Sequence, residues 1–122
     1  MKLGYTLFYV DDVPTTMRFY ENAFGLKQGF LHESNQYGEM ETGDTKLGFV
    51  HHETANSHGF EYEKSAPNKK PAGVEIGLVT KDVKSAFDRA VGAGATAISA
   101  PEQKPWGQVV SYVRACTGFL VE

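Results

Sequence analysis

Two stretches decide the fold, GYTLFYVDDVPTTMRFYENAFGL (Gly4–Leu26) and VEIGLVTKDVKSAFDRAVGAGA (Val74–Ala95). Each opens with a short apolar strand, reaches an Asp-Val pair and continues into an amphipathic segment that ends near glycine. Laying Asp12-Val13 over Asp82-Val83 aligns them without gaps, so that Met17 falls on Phe87, Tyr20 on Ala90 and Tyr5 on Glu75. A repeat of this length means one structural unit used twice.

Both halves follow the same physical logic. Asp12 and Asp82 are suited to cap helices, because their carboxylates accept hydrogen bonds from free amides of a first turn. Val13, Met17, Tyr20 and Phe24 recur at helical spacing, as do Val83, Phe87, Ala90 and Val91. Pro14 suits a first turn, and Gly25 and Gly92 or Gly94 suit helix ends. The spacing predicts helices over Val13–Phe24 and Val83–Val91.

Three strands are expected after each helix: Lys27–His32, Gln36–Glu41 and Lys46–His51, then Ala95–Ala100, Gln108–Arg114 and Phe119–Glu122. The chain therefore reads as two βαβββ modules, an α+β fold with pseudo-twofold symmetry. Curved mixed sheets form a cleft and the helices lie on the outer face. One domain is expected over 1–122, with module one at 1–52, a polar linker at 53–72 and module two at 73–122. In the first strand Thr6, Phe8 and Val10 alternate with Tyr5, Leu7 and Tyr9, and both sets are largely apolar, so burial of both faces is expected.

Bulk properties narrow the function. The 122 residues carry 41% hydrophobic and 22% charged side chains and a net charge of −3, an ordinary globular balance. Lys and Arg form no stripe, which argues against nucleic acid as a partner. No apolar run approaches a membrane span, and the start MKLGYTLFYVDD lacks a small-residue cleavage site, so a cytoplasmic protein is expected. Cys116 is the single cysteine and has no neighbouring base to activate it. The His51-His52 pair, with Glu53 and His58, lacks HExxH spacing and reads as a solvated loop.

The paired modules, the junctions YVDDVPTTMRFYENAFGL (Tyr9–Leu26) and LVTKDVKSAF (Leu78–Phe87), and the closing KPWGQVVSYVRACTGFLVE (Lys104–Glu122) carry a resemblance. Together they make the chain similar to the vicinal oxygen chelate superfamily, which includes glyoxalase I, fosfomycin-resistance proteins, extradiol dioxygenases and bleomycin-resistance proteins. The resemblance places the family's metal-ligand positions on Tyr5, Glu75, the neighbourhood of Gly48, and Glu122. Of these only Glu122 matches the usual ligand type. The final turn also departs from the family's Asp-Pro-x-Gly, reading ACTG over Ala115–Gly118.

A divalent metal for such chemistry wants three or four converging N/O ligands, usually including imidazole. The expectation is therefore no metal and no cofactor. The resemblance instead implies a small-molecule-binding protein like the bleomycin-resistance branch, which sequesters a planar or cationic toxic compound or antibiotic as a homodimer. Tyr5, Tyr9, Phe49, Glu75, Trp106 and Glu122 are the expected ligand-binding residues. The alternatives are a metal-dependent glyoxalase-like enzyme acting on a small carbonyl compound, and an interaction domain without a small-molecule role.

Overall fold

The Asp12 carboxylate accepts a hydrogen bond from the Thr15 amide at 2.8 Å, and Asp82 does the same for Ser85 at 3.0 Å. These bonds hold both carboxyls below the ordinary range, with the backbone hydrogen bond the main cause. The caps open the two long helices where the repeat places them. In the computed structural model, which describes all 122 residues, β1 (Tyr5–Val10) leads into α1 (Val13–Phe24). Strands β2 (Lys27–Leu31), β3 (Tyr37–Glu41) and β4 (Lys46–His51) follow, and then a short helix α2 (His52–Asn56). The second half runs β5 (Glu75–Ile76), α3 (Val83–Gly92), β6 (Thr96–Gln103), β7 (Val109–Arg114) and β8 (Leu120–Val121).

Each half forms its own four-stranded mixed sheet, in the orders β1-β4-β3-β2 and β5-β8-β7-β6. In both, the first strand runs parallel to the last, and the remaining pairs are antiparallel. The two compact units are Met1–Glu21 with Gly25–Lys64, and Asn22–Phe24 with Ser65–Glu122. No helix is long and apolar enough to cross a membrane.

In the first unit Val13, Met17 and Tyr20 of α1 are fully buried with Phe8, Val10, Met40 and Phe49 of the sheet. Tyr20 and Phe49 touch with ring centroids 4.8 Å apart. Gly38 lets the helix approach, since a Cβ there would collide with the Met17 sulfur and stand 3.1 Å from Val13. The opposite sheet face does not meet the expectation of burial: Tyr5 is 56% exposed and Leu7 44%. It is an open face. In the second unit the core is smaller, built from Ala90, Ala95, Val110, Val113, Ala115 and Val121. Helix α3 runs one residue beyond the predicted Val91, and Gly94, at φ 105°, takes the left-handed conformation after it.

The segment read as a polar linker is tied down. His52 and Ala55 of α2 are buried, and His51 caps that helix by accepting from the Glu53 amide at 3.2 Å. The solvated-loop reading of His51-His52 is thus overturned: His52 is only 4% exposed, because its ring stacks on Tyr62, a contact no local pattern announces. Further on, the Arg114 guanidinium donates to the carbonyls of Ala66, Pro67 and Lys69 at 2.6–3.0 Å and to Gly118 at 2.7 Å. Gly118, at φ 90°, is required there, since a Cβ would stand 2.5 Å from the Ala66 carbonyl carbon.

The two sheet faces respond differently to an added methyl group. Gly38→Ala forces a methyl into the packed α1 interface and should cost about 1–3 kcal/mol. Gly48→Ala collides only with the far end of Leu7, itself half exposed, with the Gly38 carbonyl and Tyr37 hydroxyl at ordinary contact, and should change stability by about 0.5 kcal/mol or less. Urea denaturation of both variants tests the assignment of faces, and equal losses would contradict it.

Candidate functional site

The parallel pairing of the first and last strand of each unit fixes which positions correspond. Tyr5 pairs with Lys46, and Glu75 pairs with Leu120. Two residues further along, Gly48 in the first unit therefore corresponds to Glu122 in the second. This removes the slack in the sequence alignment around Gly48. The neighbouring strands agree, since Gly48 lies beside Leu7 and Glu39. Extending the β7–β8 register, in which Val113 pairs with Val121, sets Glu122 beside Tyr112.

The repeat exchanges large for small at this point. In the first unit Leu7 leans over Gly48, where a Cβ would meet its Cδ2 at 2.6 Å. In the second unit the residue corresponding to Leu7 is Gly77, which has open space where a Cβ would stand. The carboxylate missing at Gly48 is present as Glu122. The apolar side chain beside it is gone.

Glu122 is held from both sides. Its backbone N–H donates to the Ile76 carbonyl at 2.9 Å, and its carbonyl accepts from Leu78 at 2.8 Å. Its side chain accepts a hydrogen bond from the Tyr112 hydroxyl at 2.9 Å. Glu75 reaches the same carboxylate. The Glu75 carboxyl is raised above its ordinary value, first by desolvation, then by the hydrogen bond to Glu122 and by that group's negative charge. A hydrogen bond between two carboxyls needs a proton, so Glu75 keeps its proton more readily than an isolated glutamate does. Tyr112 is raised as well, first by its hydrogen bond to Glu122, and so stays a phenol donor.

The remaining expected site residues distribute as follows. Tyr5 lies exposed on the open face of the first unit, where Tyr37 donates to Glu39 at 2.7 Å. Desolvation pushes the Tyr37 phenol well above its ordinary value, with the Glu39 hydrogen bond adding to it. Phe49 is not a ligand wall: it is fully buried against Tyr20, because β4 alternation turns Gly48 to the open face and Phe49 to the helix. Tyr9 packs on Tyr62 and Phe60, residues that fell in the segment read as a linker. Trp106 stands in the β6–β7 turn, 70% exposed, with its indole N–H donating to Gln108 at 2.8 Å.

Four positions of extended chain, about 13 Å of backbone, separate Gln108 from Tyr112. Tyr112, whose hydroxyl holds Glu122, is a site residue that the sequence reading missed. Its position two residues before the Arg114 that ends β7 carried no signal without the β7–β8 register.

The donor set does not fit the family's metal centre. The four corresponding positions hold Tyr5, Gly48, Glu75 and Glu122, and none supplies imidazole. No three His, Cys, Asp or Glu side chains lie close enough together to share an ion. What the second unit offers is the Glu122 carboxylate with Glu75 beside it and the Tyr112 hydroxyl donating to it.

The sequence matches the family model of the Glyoxalase/Bleomycin resistance protein/Dioxygenase superfamily over residues 2–122. An uncharacterized Bacillus subtilis protein, YraH, is 24% identical over 123 residues, covering 100% of this chain and 96% of its own. A glyoxalase-related enzyme from Fulvimarina pelagi superposes with a TM-score of 0.84 at 16% identity, covering 99% of this chain and 85% of that one. A glyoxalase/bleomycin resistance protein/dioxygenase family enzyme from Burkholderia phytofirmans gives 0.76 at 21%, covering 99% and 95%. With both halves of the repeat and the whole length accounted for, the chain belongs to the Glyoxalase/Bleomycin resistance protein/Dioxygenase superfamily.

Proposed function

We propose that this protein binds and sequesters a small cationic molecule, of the toxic or antibiotic kind handled by the bleomycin-resistance branch, without a metal. The observation that carries the reading is the meeting of Glu75 with Glu122, whose carboxylate the Tyr112 hydroxyl holds. Two carboxyls held together at the cost of a proton form a site that a positive charge completes, because the cation replaces the proton and relieves the repulsion. The Tyr112 hydroxyl fixes the orientation of Glu122, so little side-chain freedom is lost on binding. Self-association belongs to the same reading, and the exposed Tyr5, Leu7 and Val79 supply apolar surface for it.

Benzamidinium and its uncharged isostere benzamide test the charge requirement. Benzamidinium should raise the melting temperature of the protein through linkage, and benzamide should not. Glu75→Gln and Glu122→Gln should each abolish the shift. Metal analysis of protein purified without chelator should find no stoichiometric ion. Zinc, nickel or manganese at one per chain, lost in Glu122→Gln, would replace this reading with a glyoxalase-like metal enzyme.

The pH dependence has a definite sign. Binding a cation displaces the Glu75 proton, so affinity for benzamidinium should rise as pH climbs through the elevated Glu75 value and then level off. Stability of the unliganded protein runs the other way. A raised carboxyl stabilises the fold below its unfolded value of 4.5, and that contribution is lost as pH rises through the folded value. Glu75→Gln should therefore be no less stable than wild type at neutral pH. A clear loss there would mean that Glu75 is ionised and favourably paired in the folded protein.

A further inference from the structure

Of the four histidines only His52 is buried, at the start of α2. Its Nδ1 stands 2.6 Å from the Tyr62 hydroxyl oxygen, and its Nε2 faces the Asp11 carboxylate at 3.6 Å. A carboxylate only accepts, so the ring proton sits on Nε2 and the Tyr62 hydroxyl donates to Nδ1. The bond ties α2 to a residue ten positions further along the chain.

That residue lies in a stretch with no regular structure of its own. Phe60–Ala66 belongs to neither helix nor strand, and Gly59, at φ 80° with open space around it, marks its start. The Tyr62 and Phe60 rings cover Tyr9, with centroids 4.8 and 6.1 Å from it. Alternation sets Tyr9 on the same face of β1 as exposed Tyr5 and Leu7, yet Tyr9 is partly buried. The stretch is therefore a strap across one end of the open face. Its rings meet at 33–53° without stacking, which leaves the His52–Tyr62 hydrogen bond as a directional restraint on them.

Charging His52 works against this arrangement in two ways. With a proton on both nitrogens, Nδ1 no longer accepts, and the Tyr62 hydroxyl must turn its own proton away. A charged ring in a buried site also loses its hydration. Desolvation first, then the Lys64 charge, holds the ring below its ordinary value; Asp11 opposes this, and neighbouring His51 adds to it. Asp11 is outweighed because its side chain is 88% exposed and its charge is screened by water. Glu53 faces His51 at 4.0 Å, and His58 stacks on Phe60 at 6.2 Å. Tyr62 stays a phenol, its value raised by desolvation and then by Tyr9 and Asp11.

We infer that Gly59–Lys64 is an acid-released strap: the His52–Tyr62 hydrogen bond latches it over Tyr9, and protonation of His52 frees it and uncovers that end of the open face. The device uses groups of the first unit alone and stands apart from any ligand at Glu75 and Glu122. Its sign follows from linkage. A histidine held below its ordinary value favours the closed strap fully above pH 6.5, and that preference is lost as pH falls from 6.5 towards the closed-state value. Within this window a single proton raises the open population by up to about tenfold per pH unit.

Isotope-labelled histidine, tyrosine and phenylalanine rings let NMR follow latch and strap separately from about pH 8 to about pH 5. The Tyr9, Phe60 and Tyr62 signals should move together, with one midpoint below 6.5 that coincides with the titration of His52 itself. In His52→Gln, whose amide still accepts from Tyr62 but does not titrate, the three rings should keep their neutral positions throughout. Tyr62→Phe breaks the latch from the other side and should leave Tyr9 and Phe60 at their acid positions even at neutral pH. His58→Gln should leave the midpoint unchanged. Asp11→Asn, a change on an exposed side chain, should lower the midpoint further, and it carries the test if His52→Gln fails to fold. Rings that stay in place over the whole range, with or without titration of His52, overturn the inference. So does a transition that persists in His52→Gln, one that vanishes in His58→Gln, or a midpoint that Asp11→Asn does not move.

Discussion

The hydrogen bond from the Thr15 amide to Asp12, with its counterpart from Ser85 to Asp82, ends a strand and starts a helix within a few residues. Such a cap is worth only about 1 kcal/mol as a local interaction. Its consequence is larger, because it locks the parity of the strand before it. With α1 starting at Val13, Phe8 and Val10 lie under the helix, and Tyr5 and Leu7 take the other face. A slip of one residue would exchange the two sets and put apolar side chains in water. In the second half the same lock delivers Glu75 to the place where Glu122 and Tyr112 can meet it.

Once parity is set, the chemistry of each open face follows from a few side chains. The first unit fills its Gly48 position with Leu7 and keeps its carboxylate one strand away, on Glu39 under the Tyr37 hydroxyl. The second unit removes the bulk at Gly77 and places a carboxylate at Glu122. Crowding and charge are thus divided between the halves of one repeat. The second unit thereby sets Glu122 beside Glu75 where the first sets Leu7 over Gly48.

The long connection between the helices is held by polar groups rather than by a core of its own. His52 secures Tyr62 at one end, and Arg114 gathers the carbonyls of Ala66, Pro67 and Lys69 at the other. A guanidinium is well matched to this task, since its fork of donors serves several acceptors at once and stays charged at any working pH. Those carbonyls would otherwise need water. The arrangement also explains the glycine of the ACTG turn: Gly118 supplies both a positive φ and the clearance that lets Ala66 approach.

Much of this was legible in the chain itself. Apolar spacing and the two Asp-Val junctions determined both long helices, the succession of elements along each half and the repeat, because capping and amphipathicity are local properties. The same register placed Glu75 and Glu122 together. Other features depended on partners distant in sequence. Phe49 was read as a ligand wall because alternation alone does not say which strand face a helix will cover. His52, Tyr62 and Arg114 sit in polar or irregular sequence, where burial and hydrogen bonding arise only when the chain folds back on itself. Sequence determined where elements begin and which residues alternate. Tertiary structure decided which face is open and which carboxyl is raised by its neighbour, because desolvation and Coulomb interactions depend on distance through space rather than along the chain.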